Sequence, residues 1–202
     1  MPSTTTDDLK DRIVDEAFHV IEEKGVDQLS FREIARRLGV SHQAPYKHFP
    51  SRDHILAAVI ARCFQSFAVH LQARPNSADP FEDLGHMGLA YLEFARAHPL
   101  RYRLMFNSRL PDVSEHPEML AQAQHAFSLL QERLETMDLA DPHHDIADPV
   151  RHDALFIWSA LHGLASLMQS DATATIELDD DEKAIAVERL MRRLGLALDP
   201  SM

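Results

Sequence analysis

Gly39 stands between two short segments that each carry the marks of a helix, and few folds accommodate that arrangement. The stretch from Ser30 to Arg52 reads SFREIARRLGVSHQAPYKHFPSR. Ser30 is placed to N-cap the first segment, with Glu33 three residues on to complete a capping box. Ile34, Ala35 and Leu38 give that segment one apolar face. Gly39 ends it, because glycine takes the left-handed cap conformation without steric cost. Val40 turns back toward the core, and Ser41 caps a second helix expected to run through about Phe49. Pro45 falls in the first turn of that helix, where a missing N–H is tolerated. Ala35 is small where the two helices would cross. The pattern predicts a helix-turn-helix, whose second helix fits a DNA major groove.

Charge agrees with this reading. Residues 28–52 hold Arg32, Arg36, Arg37, Lys47 and Arg52 against Glu33 alone, a local charge of +4. The whole chain carries −12, with residues 1–27 at −5 and residues 53–202 at −11. One cationic island in an acidic chain is the footprint expected of a local phosphate-binding surface.

The run FREIARRLGVSHQAPYKHFPSRDHIL, residues 31–56, resembles the DNA-binding half of the tetracycline-repressor (TetR) family of transcription regulators. The matching features are the A-x-x-x-G-V-S core, the Tyr46–Lys47–His48–Phe49 run and the Ser51–Arg52–Asp53 start of the next helix. Further on, Trp158, His162 and Gly163 in the run WSALHG resemble the WHG motif in the regulatory domains of one branch of that family, with PLRYRLMF at 99–106 as its companion. The resemblance implies an all-α fold, with a three-helix DNA-binding domain over residues 1–52 and a helical ligand-binding and dimerisation domain over residues 53–202.

Composition fits an all-α chain. Six glycines, few β-branched runs and abundant Ala, Leu, Glu, Gln and Arg favour helix throughout. The single cysteine, Cys63, excludes an internal disulfide framework and suits a reducing compartment. The first residues, MPSTTTDD, lack the basic and apolar segments of a signal peptide, and no apolar run is expected to span a bilayer. A cytoplasmic location is the expectation.

Helices are expected at about 7–24, 51–74, 80–98, 100–107, 117–138, 149–170 and 179–196, besides the pair around Gly39. Residues 1–6 are expected to be disordered. Gly85 and Gly88 weaken one helix by roughly 1 kcal/mol each relative to alanine, which points to close packing or to room for a ligand. The helix at 149–170 is apolar on most sides, so it must be central or sandwiched between two partners. The last helix has a narrow stripe of Ala184, Val187, Met191 and Leu194. A four-helix bundle built from the last two helices of two chains satisfies both patterns, giving a homodimer.

On the DNA side, Ser41, His42, Gln43 and Ala44 open the second helix and enter the groove first. Gln43 is the best candidate for a base contact, since its amide pairs with adenine N6 and N7. His42 is suited to guanine N7 and Ala44 to a thymine methyl. Tyr46, Lys47, His48 and Ser30 are assigned to phosphates, and Phe49 and Val40 to the core. A two-fold dimer predicts a near-palindromic duplex operator. The family resemblance implies a repressor released by a small molecule that favours one arrangement of the protein.

Met87, Tyr91, Phe94, Met105, Phe106, Phe127, Trp158 and His162 are the candidate ligand-binding residues, and their apolar character favours a hydrophobic or aromatic effector. No metal site is expected, because the 13 histidines include no H-x-x-x-H pair and no C-x-x-C is present. His143 and His144 with Asp141 and Asp145 read as a solvated loop. No G-x-S-x-G, Walker loop, dinucleotide fingerprint or H-E-x-x-H occurs, so neither an enzyme nor a cofactor is expected. Asp179, Asp180 and Asp181 read as a helix start. The competing reading is a helical dimer that binds a small molecule or protein and has lost DNA binding.

Overall fold

Gly25 and Gly39 both adopt positive φ (84° and 67°), and between them they set the boundaries of the first two helices. The computed structural model describes residues 5–106, 110–137, 147–170, 175 and 179–198. Among these residues, eight α-helices are α1 (Thr5–Lys24), α2 (Phe31–Leu38), α3 (Arg52–Gln72), α4 (Pro80–Ala97), α5 (Pro99–Phe106), α6 (Pro117–Glu135), α7 (Pro149–Met168) and α8 (Asp180–Leu198). Short 3-10 turns occupy Val26–Gln28 and Pro45–Lys47. The loop cluster at His143 and His144 and the extreme N-terminal residues 1–4 lie outside the described residues.

The chain packs as two units. One comprises Met1–Gln65 with Leu100–Ala123, the other Ser66–Pro99 with Gln124–Met202. These units do not follow the 52/53 division, because α5 and the start of α6 pack with the N-terminal helices.

In the first unit, α1 buries Ile13, Ala17, Val20 and Ile21, the face expected from their spacing. Ile34 and Ala35 of α2 are fully buried beside them. Arg62 clamps α3 to α1 through the carboxylates of Asp11 and Asp15. Arg101 lies over the Phe18 ring, 4.5 Å from its centroid, and Phe64 meets Phe106 edge-on at 5.7 Å. Cys63 is a small core residue here. Burial pushes its thiol up to about 11, against the pull of the Arg101 guanidinium.

By length and mean hydropathy (1.4) α3 is apolar enough to cross a bilayer, which corrects the expectation that no segment reaches that length. However, 61% of the window is buried in protein, as a core helix requires.

In the second unit, α4 packs on α7 and α8, and α7 packs on α8. Gly88 answers the question its sequence position raised. A Cβ there would meet the end of the Met191 side chain, with Sδ at 2.9 Å, and would touch Leu161 at 3.5 Å. The glycine is there for close packing. No neighbour lies within 4 Å of the position a Cβ would take at Gly85.

Among the described residues of this unit, Asp83 is the buried anion, at 3% exposure. Arg74 donates to it at 2.6 Å, and the Arg133 Nε lies 2.9 Å away. Burial alone would raise the Asp83 pKa. The Arg74 hydrogen bond, the Ser77 N–H and the two guanidinium charges reverse that and hold it below its ordinary value.

One face of α7 buries Ala154, Ile157, Leu161 and Ala165. Leu155, Phe156 and Leu167 on its other side stay about half exposed, as does Ile185 of α8. Within one chain α7 is therefore covered on one side only. At the head of α8, the Asp179 carboxylate accepts from the Glu182 N–H (2.8 Å) and the Glu182 carboxylate from the Asp179 N–H (3.0 Å). The acidic run there is a reciprocal capping box.

Candidate nucleic-acid interface

Ser30 caps α2 as its sequence position suggests, its hydroxyl accepting from the Glu33 N–H at 3.3 Å. The other half of the expected capping box does not form. The Glu33 carboxylate turns instead to Lys24 (2.8 Å), Arg36 (2.9 Å) and Arg37 (2.9 Å). Hydrogen bonds from Arg36, Lys24 and Arg37 hold its pKa far below the ordinary 4.5. Gly39 closes α2, its N–H directed to the Ala35 and Arg36 carbonyls.

The second element departs from expectation. Residues 41–49 do not form a regular α-helix. His42–Ala44 are turns, and Pro45–Lys47 is a 3-10 segment. Pro45 has no N–H to offer the Ser41 carbonyl, which accepts instead from Ala44 N–H at 2.9 Å, an i to i−3 bond. The pattern continues with Lys47 to Ala44 (3.2 Å) and His48 to Pro45 (3.1 Å), and Phe49 closes it with a bond to Pro45 at 3.0 Å. Pro45 and Phe49 are buried. These two fix the segment to the core, and its outer side chains are left to solvent.

Ser41, His42, Gln43, Tyr46 and Lys47 are all exposed, while Ala44 and His48 are half-buried. Among the described residues, the side chains of His42, Gln43 and Lys47 have no hydrogen bond or ion pair. Tyr46 is 54% exposed, yet its ring stacks on buried Phe31 of α2. The structure thus groups the eight expected DNA-contact residues on one short stretch and the adjoining cap of α2.

The cationic island is smaller in space than in sequence. Arg37 is spent inside the module, bonded to Glu16 (3.3 Å), Glu23 (2.6 Å) and Glu33, and so ties α2 to α1. Arg36 pairs with Glu33. Arg52 donates to the Val26 and Leu29 carbonyls, where it closes the 3-10 turn that α1 leads into. Arg32 and Lys47 are the two of the five that keep no such partner among the described residues. Glu16 and Glu23 lie outside the window used to count charge, so the sequence tally overstated the free positive charge.

The ligand-site candidates divide between the two units. Met105 is buried in the first, and Phe106 packs there on Phe64 and Tyr102. In the second, Tyr91 Oη lies 3.3 Å from His162 Nδ1, and Ser166 Oγ lies 3.4 Å from Nε2. Trp158 adjoins both His162 (6.1 Å between rings) and Phe127 (5.8 Å). Phe67 joins Tyr91 to Phe94, which is fully buried, and Met87 is buried one turn before Tyr91 on α4. Partial burial lowers the His162 pKa, which favours a neutral imidazole at pH 7. Four of the eight, Tyr91, His162, Trp158 and Phe127, form one continuous aromatic and polar group. Ser166, on the same helix, was not anticipated; its spacing four residues after His162 was the available signal.

Comparison with known proteins finds two family models that match the chain. Residues 13–59 match the model for bacterial regulatory proteins of the tetR family, and residues 84–194 match that for the tetracyclin repressor-like C-terminal domain. The HTH-type transcriptional regulator Rv0681 of Mycobacterium tuberculosis is 25% identical over 170 residues, spanning 84% of this chain and 74% of that protein. A second regulator of that organism, Rv1816, is 30% identical over 100 residues, 48% of this chain and 43% of its own. The crystal structure of SCO4313, named as a regulatory protein, superposes with a TM-score of 0.72 at 27% identity, over 94% of this chain and 96% of that one.

Proposed function

The chain belongs to the tetR family of bacterial regulatory proteins, and we propose that it is a repressor released from a near-palindromic operator by a small apolar effector. It is a DNA-binding transcription regulator. The observation that supports the assignment of the reading surface is the short segment 41–48. Pro45 within it and Phe49 just after it are buried, and its outer residues His42, Gln43 and Lys47 are exposed with no partner among the described residues. Side chains already satisfied within the protein would be poor readers of a groove, whereas these have unused hydrogen-bonding capacity.

In this reading residues 1–52 bind DNA and residues 53–202 bind effector and partner. Gln43 pairs with a base edge, with His42 and Ala44 beside it. Tyr46, Lys47, His48, Ser41 and Ser30 hold phosphates. The exposed apolar strip of Leu155, Phe156, Leu167 and Ile185 pairs with the same strip of a second copy. The effector occupies the region of Met87, Tyr91, Phe94, Phe127, Trp158 and His162, where a neutral imidazole and the Tyr91 hydroxyl suit an uncharged polar group on an apolar molecule. The cytoplasm is the compartment in which such a regulator meets its operator.

Selection of bound duplexes from a random DNA library tests this. The expected product is a near-palindrome with two equivalent half-sites. The internal pairing of Arg36, Arg37 and Arg52 leaves fewer cations free for phosphates, so the selection is run at low as well as near-physiological salt. Recovery of no sequence above background, with and without apolar small molecules, would overturn the proposed operator.

A further inference from the structure

Apart from the effector region, the first unit contains a cleft of about 230 Å³ between the start of α1, the head of α3 and the head of α6, with His48 of the reading segment at its edge. His116 lines it. This residue is 6% exposed and directly precedes α6, with its carbonyl accepting from the Leu120 N–H at 3.1 Å. Among the described residues, no group hydrogen-bonds to its ring nitrogens, although its ring meets that of His54 edge-on at 4.6 Å.

Its neighbour His54 also lines the cleft. Ser51 Oγ accepts from the His54 N–H (3.4 Å) and lies 2.8 Å from Nδ1 of the same residue. Its own proton is then best placed on Nδ1, which assigns the ring N–H of His54 to Nε2. Lys10, Glu115 and Glu118 stand exposed at the cleft, with no ion pair among the described residues. Ala57, Ala61 and Met119 supply an apolar floor. Among the described residues no three His, Cys, Asp or Glu side chains converge to hold a metal ion. The volume lies below the roughly 300–1,000 Å³ of sites for drug-sized ligands, so the occupant is small. Groups of both signs, unpaired with each other, complement a molecule that carries both.

We propose that this cleft binds a small zwitterion of amino-acid size, with its carboxylate on Lys10, its ammonium on Glu115 and Glu118, and its remaining body on the alanine floor beside His116. None of the residues assigned to the effector lines this cleft, so the site is separate from the effector pocket.

The test is titration calorimetry of the full chain, without DNA, against each of the twenty amino acids. The tightest binder is then compared with its analogues lacking the amino or the carboxyl group. Binding is expected for at least one amino acid, with each analogue weaker by about tenfold or more. Lys10→Ala and Glu118→Gln alter exposed side chains, so the variants should fold, which circular dichroism verifies; each should weaken binding by about tenfold. Any of three results overturns the proposal: no amino acid gives heat above dilution, an analogue of one charge binds as tightly, or Lys10→Ala binds unchanged. No DNA is present, so the outcome does not depend on operator recognition.

Discussion

The ring of Tyr46 lies flat against that of Phe31, with centroids 4.1 Å apart and planes 14° from parallel. One ring belongs to the exposed segment assigned to reading DNA and the other to the buried face of α2. The contact orients Tyr46 although half of its surface meets solvent. Phe31→Ala should cost about 3 kcal/mol of stability through lost burial, and should weaken DNA binding further by releasing Tyr46. Tyr46→Phe keeps the stack and should leave stability within about 0.5 kcal/mol. Denaturant unfolding of both variants checks this; equal losses would mean that the stack does not hold the segment.

Gln43 and Lys47 should fail in different ways. Gln43→Ala should cost about 1–3 kcal/mol on the selected operator and relax one base position. Lys47→Ala should weaken binding by a similar factor on every sequence. Competition binding against single-base operator variants separates the two. A uniform loss for Gln43→Ala would remove it from the base-reading set.

Glu33 makes the helix-turn-helix acid-sensitive. Its bonds to Arg36, Lys24 and Arg37 depress its folded pKa below the ordinary 4.5. The unfolded chain therefore takes up a proton near 4.5 while the folded chain resists. The stabilisation is fully present above that pH and is lost as pH falls toward the folded value. Melting temperatures measured from pH 7 down to pH 3 should fall less steeply for Glu33→Gln than for the parent. Parallel curves would show that the carboxylate is not the cause.

Asp83 holds two guanidinium groups in a place with little access to water. Asp83→Ala should cost about 3 kcal/mol, because it leaves Arg74 and Arg133 poorly compensated. Removing the exposed partner of a surface pair, as in Glu188→Ala beside Arg192, should change stability by less than about 1 kcal/mol. Urea unfolding of the two variants makes the comparison. A similar small effect from both would show that the triad is more hydrated than its burial indicates.

The apolar strip on α7 and α8 should control assembly. Phe156→Asp places a charge on a half-exposed position, so the single chain should stay folded while the proposed dimer dissociates. Sedimentation velocity should show a monomer, and operator affinity should drop by at least about tenfold as the two half-sites are no longer read together. A variant that remains dimeric would move the interface elsewhere.

Much of the fold is visible in the sequence where its causes are local. Gly25 and Gly39 mark helix ends because the backbone conformation at each is written in one residue. Ser30 signals its cap for the same reason, and the 3.6-residue spacing in α1 gives its buried face. Gly88 signals a close approach, but nothing nearby in sequence says that Met191 supplies it. Glu33 was assigned to a box with Ser30, whereas Lys24 and two arginines compete for the same carboxylate and win. The missing N–H of Pro45 is apparent in the sequence, but the i to i−3 pattern it imposes on the whole segment depends on how Pro45 and Phe49 pack into the core. His116 gives no local signal, since its place in the cleft depends on α1, α3 and α6 meeting.

The internal commitments of Arg36, Arg37 and Arg52 bear on the ion atmosphere of the duplex. Cations already neutralised by protein groups displace few condensed counterions, because they bring little uncompensated charge to the phosphates. With Arg32 and Lys47 as the two of the five without a partner among the described residues, a dimer would release about four such ions, giving a logarithmic dependence of affinity on salt with slope near −4. With that slope affinity would fall about 16-fold for each doubling of salt, less steeply than for a regulator whose five cations were all free. This chain's attraction to random DNA would be weak, and discrimination would rest chiefly on base contacts.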